Sequence, residues 1–253
     1  MINVFPIPAF TDNYIWCLHN GHSAVVVDPG EAAPVERYLQ SNNLELTHIL
    51  LTHHHPDHIG GVVRLKQAGV TVYGPVSKRI AHIDVAVSEA EQVTIASLDT
   101  DFTVMEVPGH TREHIAFFGE VGLFCGDTLF SAGCGRLFEG TPAQMYQVFQ
   151  RYAELPADTK VFCTHEYTQA NLDFALHLLP DDNALKRYQE RVQALRKTDT
   201  PTLPSTIGLE LQVNPYLRAA EPAFITAIQQ KTGKMPQSEL EAFAAIRQLK
   251  DQF

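Results

Sequence analysis

The chain has 253 residues, 45% of them apolar and 19% charged, with 15 Gly and 15 Pro, an ordinary globular composition that excludes a disordered, collagenous or coiled-coil protein. Lys and Arg total 19 against 29 Asp and Glu, a formal net charge of −10, so the chain on average repels phosphate and no nucleic-acid partner is expected. Four Cys with no CxxC pair exclude a disulfide scaffold, no apolar run is long enough to span a membrane, and the first segment lacks the basic start and unbroken apolar stretch of a signal peptide; a cytoplasmic protein is the expectation.

Taken in order, β-branched and aromatic runs bounded by Pro, Asn and Gly predict strands over 4–7, 14–18 and 24–27. Asp28-Pro29-Gly30 reads as a turn, followed by a helix with Val35, Tyr38 and Leu39 as its apolar stripe. Residues 48–51 form a short buried-type strand that runs into a histidine cluster, and 70–73 form another. A second set of strands is expected over 92–95, 102–107, 115–118 and 122–125. Thr141-Pro142-Ala143-Gln144 reads as a helix start, with Thr as cap, Pro in the first position and Gln closing a capping box. One more buried strand is expected over 161–164. Two halves, each strands then helix, imply a sandwich of two mixed sheets with helices outside. Beyond residue 168 the spacing turns helical over 170–179, 185–195, 222–230 and 238–250, with 198–211 expected extended or irregular. The expected division is 1–168 and 169–253.

Four of the twelve histidines fall within Thr52-His53-His54-His55-Pro56-Asp57-His58. His53 and His55 alternate along extended backbone and project to one side, Pro56 disfavours helix at His55, and Asp57 and His58 follow on a turn. Such a knot can offer His53 and His55 to one metal ion, and Asp57 and His58 to another. His54 points the other way and is expected to be structural. Further donors stand at predicted strand exits: His110 in Pro108-Gly109-His110-Thr111, Asp127 in Gly126-Asp127-Thr128, and His165 after residues 161–163.

These motifs resemble the metallo-β-lactamase superfamily, an αββα fold holding one or two metals between two sheets. Residues 131–140 (SAGCGRLFEG), His165-Glu166-Tyr167-Thr168, Asn214-Pro215-Tyr216-Leu217-Arg218 and the terminal RQLKDQF resemble its glyoxalase II (hydroxyacylglutathione hydrolase) family over nearly the whole chain. The resemblance implies an α/β protein with a mainly helical C-terminal substrate-binding domain. It also implies two divalent metal ions, zinc foremost with iron or manganese also compatible. His53, His55 and His110 would bind the first ion and Asp57, His58 and His165 the second, with Asp127 bridging. Asp57 and Asp127 would hold the hydroxide that attacks the thioester of S-D-lactoylglutathione, giving D-lactate and glutathione, the second step of methylglyoxal detoxification. Arg136, Phe138, Tyr167, Arg247 and Lys250 would hold the glutathione thioester in a chain expected to be a monomer. By their position at a helix end alone, Arg247 and Lys250 would equally complement the helix dipole.

Alternatives weighed on the same residues are another hydrolase of this fold (a lactonase or other thioesterase) and a non-catalytic metal-binding module. A lactonase would not need the Arg247 and Lys250 tail. Phe138 stands where some family members carry Tyr, so one hydrogen bond worth roughly 0.5–1.5 kcal/mol is lost while stacking remains. Phe138→Tyr is therefore expected to lower KM for the glutathione thioester with kcat little changed; an unchanged KM would place this residue away from the substrate.

Overall fold

The computed structural model describes all residues 1–253. Six strands form the first sheet in sequential order: β1 (Asn3–Ala9), β2 (Asn13–His19), β3 (Ser23–Val27), β4 (Glu45–Leu50), β5 (Thr71–Pro75) and β6 (Val85–Val87). The first three pair antiparallel and β3 to β6 pair parallel. The parallel steps need crossovers, supplied by α1 (Ala32–Asn42) between β3 and β4, and by α2 (Pro56–Ile59) and α3 (Val62–Leu65) between β4 and β5.

The second sheet is built from β7 (Gln92–Ile95), β8 (Thr100–Glu106), β9 (Ile115–Gly119), β10 (Gly122–Gly126), β13 (Lys160–Cys163) and β14 (Ser205–Thr206), in the order β14-β13-β10-β9-β8-β7. Only β10 and β13 run parallel there, joined by α4 (Pro142–Ala153). A small hairpin, β11 (Leu129–Phe130) with β12 (Gly133–Cys134), projects from the end of β10. The predicted Thr141 cap is present, with its hydroxyl and the Gln144 side chain closing a capping box around Pro142. The helical third contains α5 (Thr168–Leu178), α6 (Asn183–Arg196), α7 (Ile207–Val213), α8 (Pro222–Thr232) and α9 (Glu239–Gln252). No helix is long and apolar enough to cross a membrane.

The main core lies between the two sheets and carries Trp16, Phe102, Phe117 and Phe124. Phe124 and Phe162 stack at 4.6 Å across β10 and β13. Phe224 on α8 and Phe243 on α9 belong to this same cluster, so α8 and α9 share the principal core, while Leu172 of α5, Leu185 and Val192 of α6 and Val213 of α7 close a smaller cluster of their own. Fully burying one such aromatic contributes about 1.5–3 kcal/mol, enough to hold the helices on the sandwich. The outer face of the first sheet packs Val26, Ile49 and Val72 against Val35 of α1 and Leu65 of α3.

One expectation fails in part. Residues 198–211 are extended where Ser205 and Thr206 pair with β13, as expected, but residues 207–211 are helical, because Thr206 caps α7 through its hydroxyl. Pro201 and Pro204 conceal both features: a two-residue edge strand carries no periodic pattern, and the helix begins immediately after it. Strand β6 and the hairpin of β11 and β12 also escape periodicity, being three residues or shorter.

Arg218 fastens the helical third. Its guanidinium donates to Asp182 at 2.7 Å, to both Glu221 oxygens, and to the Gln212 carbonyl at 2.9 Å, tying the starts of α6 and α8 to the end of α7. Asp182 also caps α6, accepting from Ala184 N at 2.8 Å and Leu185 N at 3.0 Å. Partial burial opposes ionisation, but those N–H groups and Arg218 prevail and hold the Asp182 carboxyl below its ordinary value. A depressed acid contributes stability above its unfolded pKa and loses it as pH falls through the folded one. Asp182→Ala should therefore cost roughly 1–2 kcal/mol at neutral pH, read as a lower Tm. The gap to wild type should narrow below about pH 4, and a gap independent of pH would contradict this role.

Candidate metal centre and the cavity beside it

The donors sit where four strands end at one edge of the sandwich. β4 runs into His53, His55, Asp57 and His58; β8 into His110; β10 into Asp127; β13 into His165. The two sheets are laced together at this edge. Ile115 N donates to Thr52 O at 3.0 Å, Tyr14 N to Thr164 O at 2.6 Å, and the Trp16 indole to Cys163 O at 2.9 Å.

All seven residues singled out from the sequence converge. His53, His55, His110 and Asp127 place one donor atom each within 4.8 Å of one another, and so do Asp57, His58 and His165. Asp127 reaches both groups, with its carboxylate 3.4 Å from His110, 3.5 Å from His58 and 3.3 Å from His165. His58 Nε2 and Asp127 Oδ1 are buried without any hydrogen-bond partner, an arrangement that costs free energy unless something binds there.

The rings are oriented from behind. His110 Nδ1 lies 2.8 Å from Arg136 O, His58 Nδ1 2.9 Å from Asp28 Oδ2, and His165 Nδ1 2.7 Å from Asp12 Oδ1. Each of these oxygens only accepts, so each Nδ1 carries a proton and each Nε2 is turned to the centre. Against the opposing effect of burial, Asp127 raises the pKa of His58 and His165, so a metal ion there would displace an Nε2 proton from these two rings. His53 Nδ1 lies 3.0 Å from the Thr52 hydroxyl, whose own proton goes to Asp28 at 2.7 Å, which bares His53 Nε2. His53 Nε2 and His110 Nε2 then face His55 Nδ1 at 3.0 and 2.9 Å. A single proton on His55 Nδ1 serves only one of these two neighbours, whereas a cation among the three nitrogens serves all of them. Nitrogen and oxygen donors, an orphaned carboxylate oxygen and an orphaned imidazole nitrogen together fit divalent metal ions.

Burial, with the neighbouring His58 and His114, keeps His53 well below the ordinary imidazole range. Burial resists ionisation of Asp127, yet His58 and His165 outweigh it and hold its carboxyl well below the usual range. Neutral imidazole and ionised carboxylate are the ligating forms. A side chain at Gly135 would overlap the Asp127 carbonyl, so glycine there lets the 131–140 loop close over the centre.

A cavity of about 670 Å³ opens from the donors. Phe130, Phe138 and Tyr167 wall it, and Arg136, Arg247 and Lys250 line it as well. The Phe138 ring meets His55 and His110 edge-on at 5.5 and 5.2 Å, and Tyr167 lies flat on His165 at 4.6 Å. Burial, with Asp12 and Asp127 near, pushes the Tyr167 phenol up to about 12, so it stays a donor. Two cations differ from a simple binding pair. Arg247 is buried, donating to Cys134 O at 2.6 Å and to Asp251 at 2.7 Å, so one part of its guanidinium braces the loop that carries Arg136. Lys250 donates to Ala170 O at 3.0 Å and lies over the rings of Phe174 and Phe253.

The helical third holds that loop by a second set of bonds. Buried Glu210 accepts from the Ser131 hydroxyl, Ala132 N and the Asn214 amide at 2.8, 2.8 and 3.0 Å. Asn214 also donates to Phe130 O and Gly133 O, and Asn171 to Ser131 O. His54 is not among the donors of the centre and has its Nδ1 2.8 Å from Glu113, beside Glu139 and Arg79. Glu139 is engaged by Arg79 and Arg112, and Glu166 by Tyr14 and Thr202; neither lines the cavity. Sequence reasoning missed Asp12, Asp28, Asn13 (which donates to Asp57 at 3.0 Å) and His114. Only His114 left a signal, a further histidine four positions after His110; Asp28 was hidden as a turn residue.

Comparison with known proteins places this geometry. Residues 10–165 match the family model "Metallo-beta-lactamase superfamily" and residues 166–253 match "Hydroxyacylglutathione hydrolase C-terminus". The chain is similar to proteins named hydroxyacylglutathione hydrolase in Cupriavidus taiwanensis and Photobacterium profundum, each 48% identical, and in Pseudomonas fluorescens, 49% identical, with all of both chains covered in each case. Among solved structures, ETHE1 from Myxococcus xanthus shares the fold at a TM-score of 0.64 and 23% identity over all of both chains. The B3 metallo-β-lactamase BLEG-1 does so at 0.64 and 23%, over 86% of this chain and 99% of its own. The chain belongs to the hydroxyacylglutathione hydrolase family of the metallo-β-lactamase superfamily.

Proposed function

We propose that this chain hydrolyses the thioester of S-(2-hydroxyacyl)glutathione, S-D-lactoylglutathione foremost, to a 2-hydroxy acid and glutathione. The observation that carries this reading is a single cavity that joins five of the seven converging donors, His55, Asp57, His110, Asp127 and His165, to three cationic side chains. Glutathione carries two carboxylates and one ammonium, and a chain of net charge −10 needs local cations to hold it. His53, His55 and His110 would hold one ion, Asp57, His58 and His165 a second, and Asp127 would touch both. Zinc suits these donors foremost, and iron or manganese would also be accepted. Divalent ions bound there supply a hydroxide nucleophile at neutral pH and Lewis acidity towards the thioester carbonyl.

The chain's own residues do the rest. Arg136 and Lys250 face the glutathione carboxylates, and Arg247 acts beside them while bracing Cys134. Tyr167 donates from its protonated hydroxyl. Phe138, packed on His55 and His110, excludes water from the flank of the reacting carbonyl. A thiol of pKa ~8.5 leaves without assistance, which agrees with Glu139 and Glu166 being committed elsewhere. Residues 1–168 thus carry the chemistry and 169–253 shape the substrate end.

Elemental analysis alongside a thioester assay tests the reading: two metal ions per chain with hydrolysis of S-D-lactoylglutathione are expected. Protein holding two ions yet inert towards acyl thioesters would favour a non-catalytic metal module. Asp127→Ala should lose metal affinity and nearly all kcat. Lys250→Ala should raise KM roughly tenfold with kcat near wild type, as lost ground-state binding does; abolished kcat with KM intact would refute that role.

A further inference from the structure

We infer that His114 is a positioning residue for Asp127, its imidazole accepting the Asp127 backbone N–H and so setting the angle at which the Asp127 carboxylate enters the centre. This rests on the proposed role of Asp127 as the residue shared by both ions. His114 is fully buried in the segment linking His110 to β9. Its Nδ1 lies 3.0 Å from Ile115 O, a carbonyl that only accepts, so Nδ1 carries the proton. Nε2 is then a bare acceptor, and it receives the Asp127 N–H at 3.1 Å. Unlike the other imidazoles of the cluster, this ring spends both nitrogens on backbone and offers none to a metal.

The surroundings confine the ring to that task. His114 stacks on His53 at 4.5 Å with the planes 17° apart, so one side chain supports a ligand candidate on one side and the Asp127 turn on the other. Gly126, immediately before Asp127, has φ +51°, where glycine is at ease and other residues are not. A Cβ on Gly126 would lie 2.7 Å from His114 Cε1 and would collide with the Thr52 hydroxyl. The turn therefore lies flat against the imidazole, close enough for the Asp127 N–H to reach it. Removing the acceptor leaves that N–H buried and unpaired and lets the turn rotate.

Two variants separate acceptance from packing. His114→Phe keeps a flat ring and removes the acceptor; His114→Gln removes the ring and returns an acceptor oxygen to the side of Nε2. Zinc affinity is read by chelator competition, metal content by elemental analysis, folding by Tm, and kcat and KM with the thioester. His114→Phe should weaken zinc binding roughly ten- to hundredfold and lower kcat with KM held, the scale on which residues behind metal ligands act, and His114→Gln should recover most of both. Phe matching or exceeding Gln in zinc affinity, or both equal to wild type, would overturn the inference. If His114→Phe fails to fold, the Gln variant decides alone: near-native zinc affinity supports the role, and a loss of about a hundredfold overturns it. Zinc affinity needs no substrate, so wild-type protein inert towards the thioester would sink the substrate reading and leave this comparison standing.

Discussion

The constraint on which the rest depends is that the imidazoles of the centre are held from behind. Asp12, Asp28, the Arg136 carbonyl and the Thr52 hydroxyl take the outward N–H of His165, His58, His110 and His53. Each of these four rings is thereby held with its Nε2 directed inward. Without those acceptors the rings would turn to hydrogen-bond one another, and the close approach of His53, His55 and His110 would relax. The arrangement makes the site complementary to a cation before any ion arrives, and the cost of bringing bare nitrogens and carboxylates together falls on the folded chain. That cost is offset by the two-sheet core directly beneath and by the lacing of backbone bonds between the sheets at the same edge.

The helical third serves the site at a distance. Its polar residues converge on the hairpin of β11 and β12 and on the loop after it. Glu210, Asn214, Asn171 and Arg247 each hold a backbone group between residues 130 and 134. The loop then delivers Arg136 and Phe138 to the cavity while its carbonyl at Arg136 orients His110. The donor cluster and the cavity wall are thus one connected structure. This gives the sequence SAGCGRLFEG a physical reason: small residues where backbones touch, as at Gly135 on Asp127, and large ones where the cavity needs walls.

Much of this was legible in the chain because the chemistry is compressed. His53, His55, Asp57 and His58 lie within six positions, so strand alternation and one proline suffice to aim them. The long strands, α4 with its capping box, and the amphipathic helices are visible for the same reason, a repeating apolar period. What stayed hidden depends on contacts between distant segments. Asp28 and Asp12 are ordinary turn residues until the sheets fold and bring His58 and His165 to them. Helix α7 was obscured by the prolines before it, and the guanidinium of Arg247 could not be read as a brace on Cys134 from positions 113 residues apart. The resemblance carried by the terminal RQLKDQF named Arg247 as a binding residue; the structure adds that it is also built into the wall.

The proposed chemistry requires two ions at this edge of the sandwich, both held by Asp127. Anomalous diffraction at the zinc edge from crystals grown with zinc tests it most directly. Two peaks are expected, both within bonding reach of the Asp127 carboxylate, one bounded by His53, His55 and His110 and the other by Asp57, His58 and His165. A single peak, or zinc at His54, Glu113 and Glu139 with the main centre empty, would contradict it.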